Sequence, residues 1–275
     1  MYQTTIREEV KFESVGLHTG NKVKLVLKPA KEDTGIVFLK DNLIVKADYN
    51  NVFNDKFEIS LKSKDLEVKT VEHLLSAFYG LGINNVICEI CGEEVPFYDG
   101  SCLKFVSALN RIGIKKLRKK MRIFDLKKEL VVNKDDRYII ALPHKSLKIS
   151  YFVHYENPLI GSQFKEIYLT KDVFVKEISK ARTFGWISQV REQRKMGLIK
   201  GGNLSNAILF GKNKILNKQG LRYKDEVIRH KILDLIGALA LLPFRINAHI
   251  IAIKSGHSLD IEFIKKIGGV VCQRR

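Results

Sequence analysis

The spacing richest in chemistry is that of His230 and Asp234, four residues apart in a stretch, Asp225 to Leu242, whose apolar residues recur with helical period. At about 100° per residue, Ile228, Ile232, Leu235, Leu239 and Leu242 form one stripe, and His230 and Asp234 share nearly the opposite side. A polar pair so placed either meets solvent or points into a cleft. Helical i, i+4 spacing lets two side chains reach one metal ion, and imidazole with carboxylate is a normal catalytic zinc set once a third ligand arrives. Taken alone, the pair also fits a surface ion pair.

A second helix supplies the natural third ligand. Between Thr70 and Leu81, Val71, Leu74, Leu75, Phe78 and Leu81 make a buried arc that leaves Glu72, His73 and Ser76 on the complementary face. Glu72 beside His73 has the look of a general base next to a ligand. The segment Lys254-Ser255-Gly256-His257 reads as a strand ending in a small turn that presents a further histidine. Two His and one Asp leave a fourth position for water, the arrangement of a hydrolytic rather than a structural zinc.

These residues need a scaffold. Period-2 segments predict strands at Lys22 to Leu27, Val86 to Ile90, Tyr138 to Leu142, Leu147 to Val153 and Ala248 to Ile253. Helical periodicity marks Thr70 to Leu81, Ser101 to Asn110, Lys171 to Lys180, Ile187 to Lys195 and Asp225 to Leu242. Strands and helices do not alternate regularly, so the fold class is α+β with mostly antiparallel sheets. Six basic residues fall between Lys115 and Arg122, which sets the expected domain boundary there: residues 1–116 carry Glu72 and His73, and residues 117–275 carry His230, Asp234 and His257. A faint repeat supports two similar halves. In both Glu72-His73 and Arg229-His230 a charged residue precedes a His, and a Gly (Gly80, Gly237) follows seven residues later.

Composition excludes several classes. The 275 residues are 45% hydrophobic and 28% charged, which is globular composition, and the length builds a core without disulfides or a structural metal. With 48 Lys and Arg against 30 Asp and Glu, the net charge of +18 suits an anionic partner, whether nucleic acid, membrane surface or phosphorylated substrate. No helix-turn-helix, RNA-binding or zinc-finger signature appears, so no nucleic-acid partner is expected. The N-terminus lacks the apolar core of a signal peptide, and no run reaches the roughly 20 apolar residues of a membrane span, so a cytoplasmic protein is expected. Of Cys88, Cys91, Cys102 and Cys272, the first two form a lone C-x-x-C in a strand, which reads as packed, reduced thiols.

Seven motifs in order carry a resemblance: Val15-Gly16-Leu17-His18-Thr19-Gly20, Thr70 to Leu75, Val95 to Ser101, Ala181-Arg182-Thr183-Phe184-Gly185, Gly220 to Glu226, Arg229 to Asp234 and Lys254 to His257. Together they resemble the UDP-3-O-acyl-N-acetylglucosamine deacetylases, zinc amidases of lipid A synthesis, over nearly the whole chain. The resemblance implies that His73, His230 and Asp234 hold Zn2+, with Fe2+ also suited to such a set. It implies that Glu72 takes a proton from the attacking water, that the Thr183 hydroxyl with zinc stabilises the oxyanion, and that His257 protonates the departing amine. Lys231 and Lys254 would face the diphosphate or the developing charge, while Phe184, and Tyr155 before Glu156-Asn157-Pro158, would contact substrate. The implied fold is two α+β domains of similar topology with helices sandwiched between two sheets. Each carries an insert. The second, a βαβ unit around Thr183 to Asn206, forms an apolar passage for the acyl chain, with Ile187, Val190, Met196, Leu198 and Ile199 as candidate lining. A monomer is expected, with peripheral contact to an anionic membrane through the basic segment 115–122.

The departures are as informative. Ala238 stands where the family usually has an Asp that hydrogen-bonds the acid histidine, so His257 should lose a partner and some of its basicity. Gln189 replaces a carboxylate in the second insert, and the first insert, between Phe38 and Thr70, looks short and lacks a Thr-rich segment. These motivate the alternative of a divergent homologue acting on another amide; a basic nucleic-acid-binding protein is the remote one.

Overall fold

The structure, a computed structural model, describes residues 1–54 and 56–272. The first half runs β1 (Tyr2–Ile6), β2 (Val10–Val15), β3 (Lys22–Pro29), β4 (Ile36–Lys40), β5 (Leu43–Lys46), β6 (Val52–Asn54), β7 (Ser60–Ser63), β8 (Leu66–Val68), α1 (Glu72–Leu81), β9 (Val86–Cys91), α2 (Leu103–Ile112) and β10 (Ile114–Lys120). The second continues β11 (Ile123–Asp125), β12 (Leu130–Lys134), β13 (Arg137–Pro143), β14 (Leu147–His154), β15 (Ser162–Tyr168) and α3 (Lys171–Val173). After a π-helical turn at Phe174–Ile178 come β16 (Phe184–Trp186), α4 (Ile187–Lys195), β17 (Ile208–Phe210), α5 (Glu226–Leu239), β18 (Arg245–Ile253) and α6 (His257–Cys272).

Two sheets repeat one plan. The first has strand order β2-β3-β9-β4-β5; the second has β12-β13-β18-β14-β15, with β11 added to β18. In each, the strand that follows the buried helix enters the middle, antiparallel to one neighbour (β3, β13) and parallel to the other (β4, β14). The faint repeat is therefore a duplication of the fold, and it makes α1 the counterpart of α5 and α2 that of α6. The inserts differ. Between β5 and α1 lies the small meander β6-β7-β8; between β15 and α5 lies the parallel pair β16 and β17 joined through α4, the βαβ unit expected there.

Alternation gives each sheet one inner face: Val23, Leu25 and Leu27 on β3, and Ile246, Ala248, Ile250 and Ala252 on β18, are all buried. Both inner faces belong to one core with the helices between them. That middle layer corrects one expectation. α1 is buried along its whole length and α5 nearly so, His73 and Glu72 included. A helix covered on every side has no wet face, so its polar residues must meet each other.

Two segments depart from their predicted form. The stretch 171–180 is a single helical turn running into a π-helical one, not a continuous α-helix. His257 opens α6, a 16-residue helix absent from the elements that periodicity predicts. The basic run, which contains the expected 116/117 boundary, lies mostly in β10, a largely exposed strand paired antiparallel with β1. Cys88 and Cys102 are buried free thiols and Cys91 is an exposed one; the Cys272 side chain lies outside the described residues. Cys88 and Cys91, on opposite faces of β9, cannot share a ligand.

Candidate active site

The site begins where the two central helices touch. A methyl group at Gly237 would lie 2.3 Å from the carbonyl oxygen of Glu72, so only glycine permits this approach of α5 to α1. The contact brings the start of α1 against the middle of α5. His73 Nε2 stands 3.9 Å from Asp234 Oδ1, and His230 Nε2 3.3 Å from the same oxygen. The two imidazoles meet edge to face at 5.0 Å, and Phe97 stacks on His73 at 5.3 Å.

The protons in this cluster are assignable. His230 Nδ1 is 3.0 Å from the Ala181 carbonyl oxygen, an acceptor, so Nδ1 carries the hydrogen and Nε2 offers a lone pair. Burial, with the charge of neighbouring His230, pushes His73 down to about 3, and burial also lowers His230. Burial alone would raise Asp234, but His230, Lys231 and the other histidines outweigh it and hold its carboxyl below the ordinary range. Neutral imidazoles and an ionised carboxylate thus aim lone pairs at one point. Asp234 Oδ1 has no hydrogen-bond partner among the described residues, although it is fully buried. Three acceptors with no proton between them fit a cation; the donor atoms of His73, His230 and Asp234 all lie within 4.8 Å of one another.

A buried ion pair fixes this geometry from behind. Glu226, at the start of α5, accepts from Arg182 Nε at 2.9 Å, Arg182 Nη2 at 3.0 Å and the Arg182 backbone N–H at 3.0 Å. The clamp holds the segment whose preceding carbonyl, Ala181, fixes the tautomer of His230. No local sequence signal marks it, because the partners are 44 positions apart.

Glu72 is buried beside the cluster, its Oε2 accepting from the Ile59 backbone N–H at 3.0 Å. Burial first, then the charges of Asp234 and Glu58, raises its pKa well above the ordinary carboxylate range. His257 Nε2 lies 3.9 Å from Asp234 Oδ2, and Lys231 Nζ donates to that oxygen at 2.9 Å. Burial works against the Lys231 ammonium, yet Asp234, Tyr151 and Asp260 outweigh it, so the lysine stays charged. Asp260, which no local motif marks, is fully buried on the first turn of α6 and accepts from Ser255 Oγ at 2.6 Å. Burial pushes its carboxyl up to about 7, with Lys231 and Ser255 opposing.

Beside this centre opens a cleft of about 360 Å³ lined by Thr183, Phe184, Ile187, Val190, Leu198 and Ile199, among others. The half-exposed Phe184 also packs edge to face on His230 at 6.2 Å, and Tyr155 packs on Phe184 and Trp186. Thr183 is held at the cleft by backbone bonds to Gly100 and Ile208. Of the five expected lining residues, Met196 lies outside the cleft and is largely exposed. Lys254 points elsewhere in this structure: its Nζ is 2.6 Å from Asp136 on the β12–β13 turn. Gln189 is exposed on α4.

Duplicated sheets, two central helices and a buried His/His/Asp set at their contact define an α+β protein with a candidate metal centre at the junction of its halves. Comparison with known proteins names the group. The profile of the LpxC family, UDP-3-O-acyl N-acetylglycosamine deacetylase, matches residues 3–268. A UDP-3-O-acyl-N-acetylglucosamine deacetylase of Citrifermentans bemidjiense is 36% identical over 271 residues, covering 97% of this chain and 89% of the relative. That of Oleidesulfovibrio alaskensis is 40% identical over 273 residues (97% and 89%), and that of Campylobacter hominis 38% over 262 residues (94% and 89%). The chain belongs to the LpxC family.

Proposed function

We propose that the chain hydrolyses the N-acetyl group of UDP-3-O-acyl-N-acetylglucosamine, giving UDP-3-O-acyl-glucosamine and acetate, the deacetylation step of lipid A synthesis. The observation that carries the reading is the convergence of lone pairs from His73, His230 and Asp234 beside Glu72 and His257. Those three residues would hold the cation, zinc by the mixed nitrogen and oxygen donor set. When bound, it polarises the amide carbonyl and makes water acidic enough to attack at neutral pH.

The chain's own groups do the rest. Glu72 receives the proton of the attacking water; burial raises its carboxyl in the metal-free chain, and the positive charge of a bound cation would favour the carboxylate form that accepts this proton. The Thr183 hydroxyl donates to the oxyanion, and Lys231 adds positive charge beside it. His257 gives its proton to the amide nitrogen as the C–N bond breaks, so the amine leaves neutral. The cleft lined by Phe184, Ile187 and Val190 takes the acyl chain, and Tyr155 stands at its edge toward the sugar nucleotide. Lys254 reaches a phosphate only after giving up Asp136. No described helix is long and apolar enough to cross a membrane; with a UDP-sugar as substrate, we take the enzyme to act in the cytoplasm. We take it as a monomer of two domains divided near 116/117, with exposed β10 as the face toward an anionic bilayer.

Release of acetate from UDP-3-O-acyl-N-acetylglucosamine by the zinc-loaded protein tests the reading. Glu72→Ala is expected to abolish release with metal content retained, and His73→Ala to lose both. Zinc-loaded wild-type protein without acetate release would leave the divergent-homologue reading, which Ala238 favours.

A further inference from the structure

A second group of buried ionisable side chains lies apart from the His73, His230 and Asp234 set. His18 comes from the loop between β2 and β3, Glu58 from the residues just before β7, and Glu94 from the loop after β9; they are 6%, 4% and 0% exposed. Their donor atoms lie within 4.8 Å of one another, with His18 Nε2 3.5 Å from Glu58 Oε2.

The proton inventory does not close. Thr70 Oγ1 lies 2.7 Å from Glu58 Oε2 and 2.8 Å from Glu94 Oε1, yet a hydroxyl has one hydrogen and can donate to only one of them. Two buried carboxylates therefore share a single donor at their meeting point. Their other contacts are spoken for: Ser60 donates to Glu58 Oε1, and the His18 and Thr19 backbone N–H groups and the Thr19 hydroxyl donate to Glu94. His18 should supply the missing proton, but both of its ring nitrogens lack a hydrogen-bond partner among the described residues, at 3.5 Å from the nearest carboxylate oxygen. Thr70 is held at φ 55°, an uncommon conformation for a β-branched residue, so its place between the carboxylates costs backbone strain. Two buried carboxyl groups that face each other across one shared hydroxyl hydrogen leave room there for a further proton or a cation.

We propose that His18, Glu58 and Glu94 form a second divalent-cation site, distinct from the set on α1 and α5. One imidazole and two carboxylates favour a transition metal of the zinc, iron or manganese class over calcium or magnesium, which prefer all-oxygen shells. The role is positional. The ion ties together three segments far apart in sequence, and it anchors Glu58 next to Ile59, whose N–H holds the Glu72 carboxylate.

The test is zinc stoichiometry of the full-length, metal-stripped chain, reloaded with zinc chloride and measured by elemental analysis after gel filtration. Wild-type protein is expected to bind two equivalents. Glu58→Gln, which is isosteric and keeps one acceptor oxygen, for either Ser60 or Thr70, is expected to bind one, and Asp234→Ala is also expected to bind one. A single equivalent in wild type that survives Glu58→Gln and disappears with Asp234→Ala overturns this proposal and leaves the α1 and α5 centre intact, the carboxylates then sharing a proton. Two equivalents retained by Glu58→Gln also overturn it. One equivalent lost with Glu58→Gln but not with Asp234→Ala supports it and counts against the other centre. The wild-type stoichiometry needs no variant to fold.

Discussion

With His73 and His230 in register, the two copies of the fold compare residue by residue: Glu72 answers to Arg229, Leu74 to Lys231 and Ala77 to Asp234. The backbone frame is common, but α1 offers a carboxyl group and one imidazole, whereas α5 offers an imidazole, a carboxylate and an ammonium. Arg229 faces the other way, paired with Asp225 at 2.6 Å and with Glu177. The inserts diverge likewise: the first contributes a backbone N–H to Glu72 and the second an apolar cleft. Duplication thus supplied two helices at close quarters, and divergence gave each a separate share of one site. Neither copy holds a complete donor set.

If the copies depend on different supports, breaking each support should have separable effects. The largest is expected from Glu226→Ala, which strands the Arg182 guanidinium in the interior; losing one partner of a buried pair costs about 3–5 kcal/mol. Denaturant unfolding should show that loss, with activity falling further because Ala181 no longer fixes His230. A cost below 1 kcal/mol would mean that water reaches Arg182 and that the clamp is not what orders the segment. Next come the paired glycines. A methyl at Gly237 meets the backbone of Glu72, and one at Gly80 meets the ring of Phe174. Overpacking costs about 1–3 kcal/mol, against which alanine gains about 1 kcal/mol in helix propensity. Both variants should melt earlier, but only Gly237→Ala should weaken metal retention, since only it displaces α1 at the site. Equal metal affinity in the two would show that the helix contact tolerates the shift.

How far the sequence carried this picture follows from what kind of contact each feature is. Local periodicity located α1, α4 and α5 and the strands β3, β9, β13, β14 and β18, because alternating or helical burial is written in consecutive residues. It placed the His and Asp on their helices but predicted a wet or cleft-facing side for them; that both helices lie in a middle layer depends on two sheets closing over them. The π-helical turn at Phe174–Ile178 looks like ordinary helix in pattern, and α6 follows a turn that masked its start. Family motifs pointed to Thr183, which lines the cleft, and to His257, which lies by Asp234. Asp260, Arg182 with Glu226, and Glu58 escaped notice because each gains meaning only through a partner distant in sequence.

Ala238 probes the smallest difference between the copies, one further turn along α5. Position 238 follows Asp234 by four residues and so shares its face, and His257 Nε2 lies 3.9 Å from that aspartate. His257 Nδ1 is buried without a partner among the described residues. Burial pushes the imidazole down to about 4, Asp234 opposing and Lys231, His230 and His18 reinforcing. A general acid acts only when protonated, so deacetylation should fall as pH rises through the His257 pKa, and at neutral pH little of it carries the proton. Ala238→Asp restores the carboxylate that the family usually carries there, on the face of α5 that Asp234 shares, and is expected to favour the imidazolium and move the descending limb of kcat/KM to higher pH. Each unit of that shift is about 1.4 kcal/mol, or up to tenfold in the protonated fraction above the pKa. The introduced group must ionise in a buried place, but Lys231 on the preceding turns supplies positive charge. A pH profile whose basic limb stays put would show that His257 is already oriented and charged by another group, and Asp260, on the same first turn of α6, would be the one to remove next.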